Sequence, residues 1–132
     1  MFEYHGWVTV QSSTGDENDS ESEAARTAAA AVLQALQSAP GLAEIRTVNG
    51  VNQIHIAGCS NHKGSQGDQV IEVFADIGRV APGSYGILYV RDDEDSSGRE
   101  NEFQVTVMRR GAVSSWRDEL LSPCIPVIED DE

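Results

Sequence analysis

The chain has 132 residues, with 22 acidic side chains against nine basic ones and a formal net charge of −13. That length suits one domain, and Leu, Ile, Val and Phe together reach about 23%, enough for a packed core rather than a disordered chain. No apolar run approaches the ~18 residues of a membrane-crossing helix, and so acidic a surface repels nucleic-acid backbones and anionic membranes while speeding encounter with cationic partners.

The opening MFEYHGWVTV carries no basic stretch and meets Glu3 at once, so it does not read as a signal peptide and the chain is expected in the cytoplasm. Residues 2–11 alternate. Phe2, Tyr4, Gly6, Val8 and Val10 point one way, and Glu3, His5, Trp7, Thr9 and Gln11 the other, which predicts a strand. An acidic loop follows over about 12–20. Ser20 and Glu23 fit a capping box for a helix running to about Ser38, with Ala25, Ala29, Val32, Leu33 and Leu36 on its apolar stripe.

Asn49-Gly50 is the favoured pair for a two-residue hairpin turn. It sets a register over 42–57 in which Val48 faces Val51, Ile45 faces Ile54 and Ala43 faces Ile56. On the other side Glu44 faces His55 and Arg46 faces Gln53. Gly58–Gly67 reads as a loop. A second helix is predicted from about Asp68 to Val80.

Ser84–Arg91 is apolar on both faces and predicts a central strand covered on both sides. Asp92, Asp93, Glu94 and Asp95 open an exposed acidic connection. Strands follow at Glu102–Arg109 and Val113–Trp116. The last segment holds Pro123 and Pro126 and ends in the acidic tail 129–132. It reads as an extended tail laying Leu120, Leu121, Ile125, Val127 and Ile128 on the sheet, where Leu121 or Ile125 would cover Trp7. The order β-α-β-β-α-β-β, followed by a short strand and the tail, predicts one α+β domain over 1–132. Its sheet is mostly antiparallel, in a split βαβ-like arrangement with two helices on one face and the tail packed on the sheet. The opposite face would carry His5, Trp7, Thr9, Glu44, Arg46, Gln53 and His55.

Catalytic and cofactor patterns are lacking. There is no phosphate-binding glycine loop and no Gly-x-Ser-x-Gly. Cys59-x-x-His62 is a single pair where zinc sites use paired motifs, and Asp92, Asp93 and Asp95 lack the spacing of a calcium loop. No metal, cofactor or catalytic residue is therefore assigned. Two other readings stay open. One is a small Cys/His hydrolase or deamidase using Cys59 or Cys124; the other is an acidic scaffold for an unrelated basic partner.

MFEYHGW at the start, GSYGILYVRDDED in the middle, and NEFQVTVMRRG with DELLSPCIPVIED at the end resemble immunity protein family 7 of bacterial polymorphic toxin systems. The resemblance spans nearly the whole chain. It implies an α+β fold with a characteristic tryptophan, matched here to Trp7. It also implies a non-enzymatic protein that binds and neutralises a cognate toxin domain in the producing cell, by occluding its active site or substrate groove. Many such toxins are basic and act on nucleic acids, which an acidic inhibitor suits. The candidate contact residues are Asp92, Asp93, Glu94 and Asp95, as basic-surface contacts, and Trp7 as an aromatic anchor with His5 and His55 on its face.

Overall fold

The computed structural model describes residues 1–126. Its strands are β1 (Phe2–Val10), β2 (Leu42–Val48), β3 (Val51–Ser60), β4 (Tyr85–Asp92), β5 (Gln104–Arg109) and β6 (Ala112–Arg117). Its helices are α1 (Asp19–Gln37) and α2 (Gly64–Val80). The six strands form one antiparallel sheet in the order β2-β3-β1-β4-β5-β6. The α+β class and the order of elements are as the sequence predicts.

Both helices lie on one face. The inward residues of β1, namely Phe2, Tyr4, Val8 and Val10, pack with Ala25, Ala29, Leu33 and Leu36 of α1 and with Val70, Val73, Phe74 and Ile77 of α2. The predicted hairpin register is the observed one, from Leu42 opposite Ala57 to Val48 opposite Val51. Asn49 and Gly50 both take positive φ, at 53° and 77°, as that turn requires.

Helix boundaries differ from the sequence reading. Asn18, not Ser20, caps α1: its Oδ1 accepts from the Glu21 amide at 2.8 Å. Asn is as good a cap as Ser, and both stand in the same polar stretch. Helix α2 begins at Gly64, about four residues early. Its first turn has no apolar side chain to announce it. Gly67 instead lets that turn settle on the Phe2 ring, where an added Cβ would stand 3.2 Å away.

The tail also differs. It returns to the margin of the sheet, but it is held there by polar contacts. Asp118 donates its amide to the Phe103 carbonyl at 3.1 Å, and the Phe103 amide donates to Ser122 Oγ at 2.9 Å. The Cys124 and Ile125 amides donate to the Asn101 carbonyl and Oδ1, each at 3.0 Å. Leu120, Leu121 and Ile125 are not buried; Leu120 is 98% exposed. Neither Leu121 nor Ile125 seals Trp7, and among the described residues only the helix side of β4 is fully covered. Tyr85 is exposed, and Ile87 and Tyr89 are half-buried. The expected docking of Val127 and Ile128 and the acidic end 129–132 lie outside the described residues.

Candidate partner-binding face

Period-two alternation puts every second residue of each strand on the helix-free face, and the sheet order decides which of them meet. Trp7 stands opposite His55 on β3 and Ile87 on β4. His55 is in turn opposite Glu44, and Ile87 opposite Val107. One row further along β1, His5 lies between Ala57 and Tyr89; that row continues through Val105 to Trp116. Trp7, His5 and His55 thus share one face, as the sequence indicates.

The rings on this face meet edge to face. Trp7 and Tyr85 have centroids 6.1 Å apart at 88°, and Tyr89 and Phe103 are 6.0 Å apart at 85°. Phe103 is also met edgewise by His5 at 6.3 Å. Trp7 is 37% exposed and Trp116 62%. Trp7, Tyr85, Tyr89 and Trp116, with Ile87, Val105 and Val107 between them, make an aromatic and aliphatic band across the middle of the sheet. Tyr85, Tyr89, Phe103 and Trp116 were not singled out from sequence as contact residues. Alternation in β4 marks Tyr85 and Tyr89 as facing one way, but only the pairing of β1 with β4 sets them beside Trp7 and His5.

Where β1 starts, the open face is ionic. Arg91, itself buried, donates from Nε to Glu3 Oε1 at 2.8 Å, and Nη2 stands equally close. His5 Nε2 lies 3.2 Å from Glu3 Oε2. Partial burial alone would raise the Glu3 carboxyl, but the hydrogen bonds from His5 and Arg91 outweigh it and hold the group below the usual glutamate range.

The acidic connection follows β4 directly, at this same end. Asp93 and Glu94 are exposed as expected, but Asp92, the last residue of β4, and Asp95 are half-buried, and none of the four is an independent charge. Asp93 pairs with the Met1 ammonium and Glu94 with His62 Nδ1. Asp92 Oδ1 accepts from the Glu94 amide at 3.0 Å, and Asp95 Oδ1 accepts from the Ser97 amide at 2.6 Å. Those Ser97 hydrogen bonds keep the Asp95 carboxyl low. Phe2 is opposite Asp92, five strand positions from Trp7, so loop and tryptophan are separated by about 17 Å along the strand. The candidate residues form two groups, an aromatic centre and an acidic rim.

Cys59 sits on β3 opposite Glu3, and Cys124 lies in the tail beside Asn101. Both are free thiols, and among the described residues neither is hydrogen-bonded to a histidine. No helix is long and apolar enough to cross a membrane among the described residues.

Among curated proteins no relative matches the chain. Among solved structures, a phage SAM lyase in complex with S-methyl-5'-thioadenosine aligns over 89% of this chain and 92% of its own, at 14% identity and a TM-score of 0.34. That likeness is too distant to inform the chemistry of this face. The family model described as immunity protein 7 matches residues 1–130, from the first strand through the tail, so the whole sheet and its open face fall within it. The chain belongs to the immunity protein 7 family, and is by that membership an immunity protein against a toxin.

Proposed function

We propose that this chain acts in the cytoplasm of the producing cell as a stoichiometric inhibitor of its cognate toxin domain. It lays the open face of its sheet over the toxin's active site or substrate groove, as one unit over 1–132 and without cofactor or catalysis. The observation that carries this reading is the aromatic band. Trp7, Tyr85, Tyr89 and Trp116 share the face of the sheet that, among the described residues, no helix covers, and Trp and Tyr dominate the energetics of protein interfaces.

Charge supports it. A net charge of −13 attracts a basic toxin surface and steers it, while the acidic connection Asp92–Asp95 at the rim meets it first. A toxin that grips nucleic acid offers such a surface, whereas nucleic acid itself is repelled by this chain.

The test is reconstitution with the cognate toxin domain. Mixing the two should give a 1:1 complex without toxin activity, and Trp7→Ala combined with Trp116→Ala should free the toxin while the double variant still folds. A complex that keeps its affinity with both tryptophans removed would place the interface elsewhere.

A further inference from the structure

Leu120 and Leu121 are apolar, exposed and yet fixed. Their amides donate to the Asp118 carboxylate, at 3.2 Å to Oδ1 and 2.9 Å to Oδ2. The Ser122 amide and hydroxyl complete the turn at 2.9 and 3.0 Å on Oδ2. Ser122 is itself tied to the Phe103 amide. A turn so held presents two leucines to water, Leu120 at 98% and Leu121 at 65% exposure. Between it and the sheet runs a slot of about 290 Å³, lined by His5, Tyr89, Phe103, Asp118, Leu120 and Leu121. That size is at the bottom of the range for small-molecule sites and suits a single long side chain.

We propose that this slot receives an arginine side chain of the toxin, its stem between the leucines and the rings and its guanidinium against Asp118; this rests on the occlusion reading above. Three features select that occupant. Tyr89 and Phe103 line the slot, and the face of an aromatic ring attracts a planar guanidinium. Among the described residues Asp118 supplies the one carboxylate in the lining. Partial desolvation would raise its pKa, but the hydrogen bonds from Leu120, Leu121 and Ser122 keep it low, so it stays ionised at neutral pH. A purely apolar occupant would bury that carboxylate without a counter-charge, which is costly. Among the described residues no arginine or lysine lines the slot. Nearby Arg117 lines the neighbouring cleft instead and is committed to Glu102 at 2.8 Å.

Two measurements on the full chain test this. In the first, N-acetyl-arginine methylamide is titrated while the Leu120 and Leu121 methyls and the His5, Tyr89 and Phe103 rings are followed by NMR. Saturable shifts at these groups are expected with a dissociation constant near ~1–10 mM, about the strength of one side-chain contact. The citrulline and norleucine counterparts should bind at least tenfold more weakly. Equal binding by either counterpart, or no shift up to about 100 mM, overturns the arginine assignment. In the second, Leu120→Ser and Leu121→Ser are measured against the toxin domain. Leu120→Ser cannot disturb the core, since the side chain touches almost nothing, and each variant should weaken the complex tenfold or more. If both bind like the parent chain while Trp7→Ala does not, the slot is excluded and occlusion stands. If the parent chain itself does not bind the toxin, occlusion falls, and the arginine titration still decides the slot.

Discussion

Trp7 and Glu3 show how neighbours on one strand divide their roles. Trp7 leans edge-on against Tyr85 and keeps over a third of its surface in water. Trp7→Ala therefore removes one aromatic pair and part of an exposed ring. It should cost about 1–2 kcal/mol in thermal or denaturant unfolding, short of the ~3–5 kcal/mol of a buried aromatic. In calorimetric titration of the toxin the same change should weaken binding about 30-fold or more, the cost of a central anchor. Glu3 acts on stability. Its folded pKa is depressed, so its stabilisation is complete above the unfolded value near ~4.3 and is lost as pH falls through the lower folded value. Glu3→Gln should be less stable at neutral pH, with a shallower decline on acidification. Unfolding curves from about pH 6 to pH 2.5 check this, and parallel acid limbs would show that the Arg91–Glu3 contact contributes nothing.

At the scale of elements, α2 meets the β5–β6 turn through two glycines. A Cβ on Gly78 would stand 2.3 Å from the Gly111 carbonyl oxygen, and Gly111 has φ 72°. Gly78→Ala must push helix and turn apart and should cost about 1–3 kcal/mol, read as a lower denaturant midpoint with an unchanged slope. The contact is invisible in the sequence, where Gly78 looks like a small interruption in an apolar stripe. The hairpin, by contrast, was fully legible, because Asn49-Gly50 leaves only one register that sorts apolar from polar. The faces of β1 were legible for the same reason of alternation, which is why Trp7, His5 and His55 could be grouped. What alternation cannot say is which strand comes next in space. Tyr85 and Tyr89 join Trp7 and His5 only through a pairing some 80 residues long-range. The tail misled through its composition. Leu120, Leu121 and Ile125 look like core residues, and apolar composition alone does not say which leucines a fold leaves exposed.

For the molecule as a whole, charge sets the kinetics of encounter more than the strength of the complex. Replacing Asp92, Asp93, Glu94 and Asp95 with their amides takes the net charge from −13 to −9. Stopped-flow association with a basic toxin domain should slow by about tenfold at low ionic strength, with a flatter dependence on salt and little change in dissociation. An unchanged on-rate and salt slope would remove this rim from the encounter path. The ion pairs of Asp93 with the Met1 ammonium and of Glu94 with His62 disappear in the same variant, but both are exposed and should move the melting temperature only slightly.

The central position of β1 bears on how the chain assembles. Phe2 is opposite both Ser60 and Asp92, so the first strand finds its partners only after long intervening segments have come together. The β2–β3 and β5–β6 pairs are joined by two-residue turns and β4 reaches β5 through residues 93–103, so these units are more local in sequence than the pairings of β1. Until β1 slides between them, each presents a bare edge of unpaired amides and carbonyls, the kind of surface that recruits other chains. Because β1 alone joins the two halves of the sheet, a chain with its first strand deleted should expose both of those edges and self-associate, which light scattering would read.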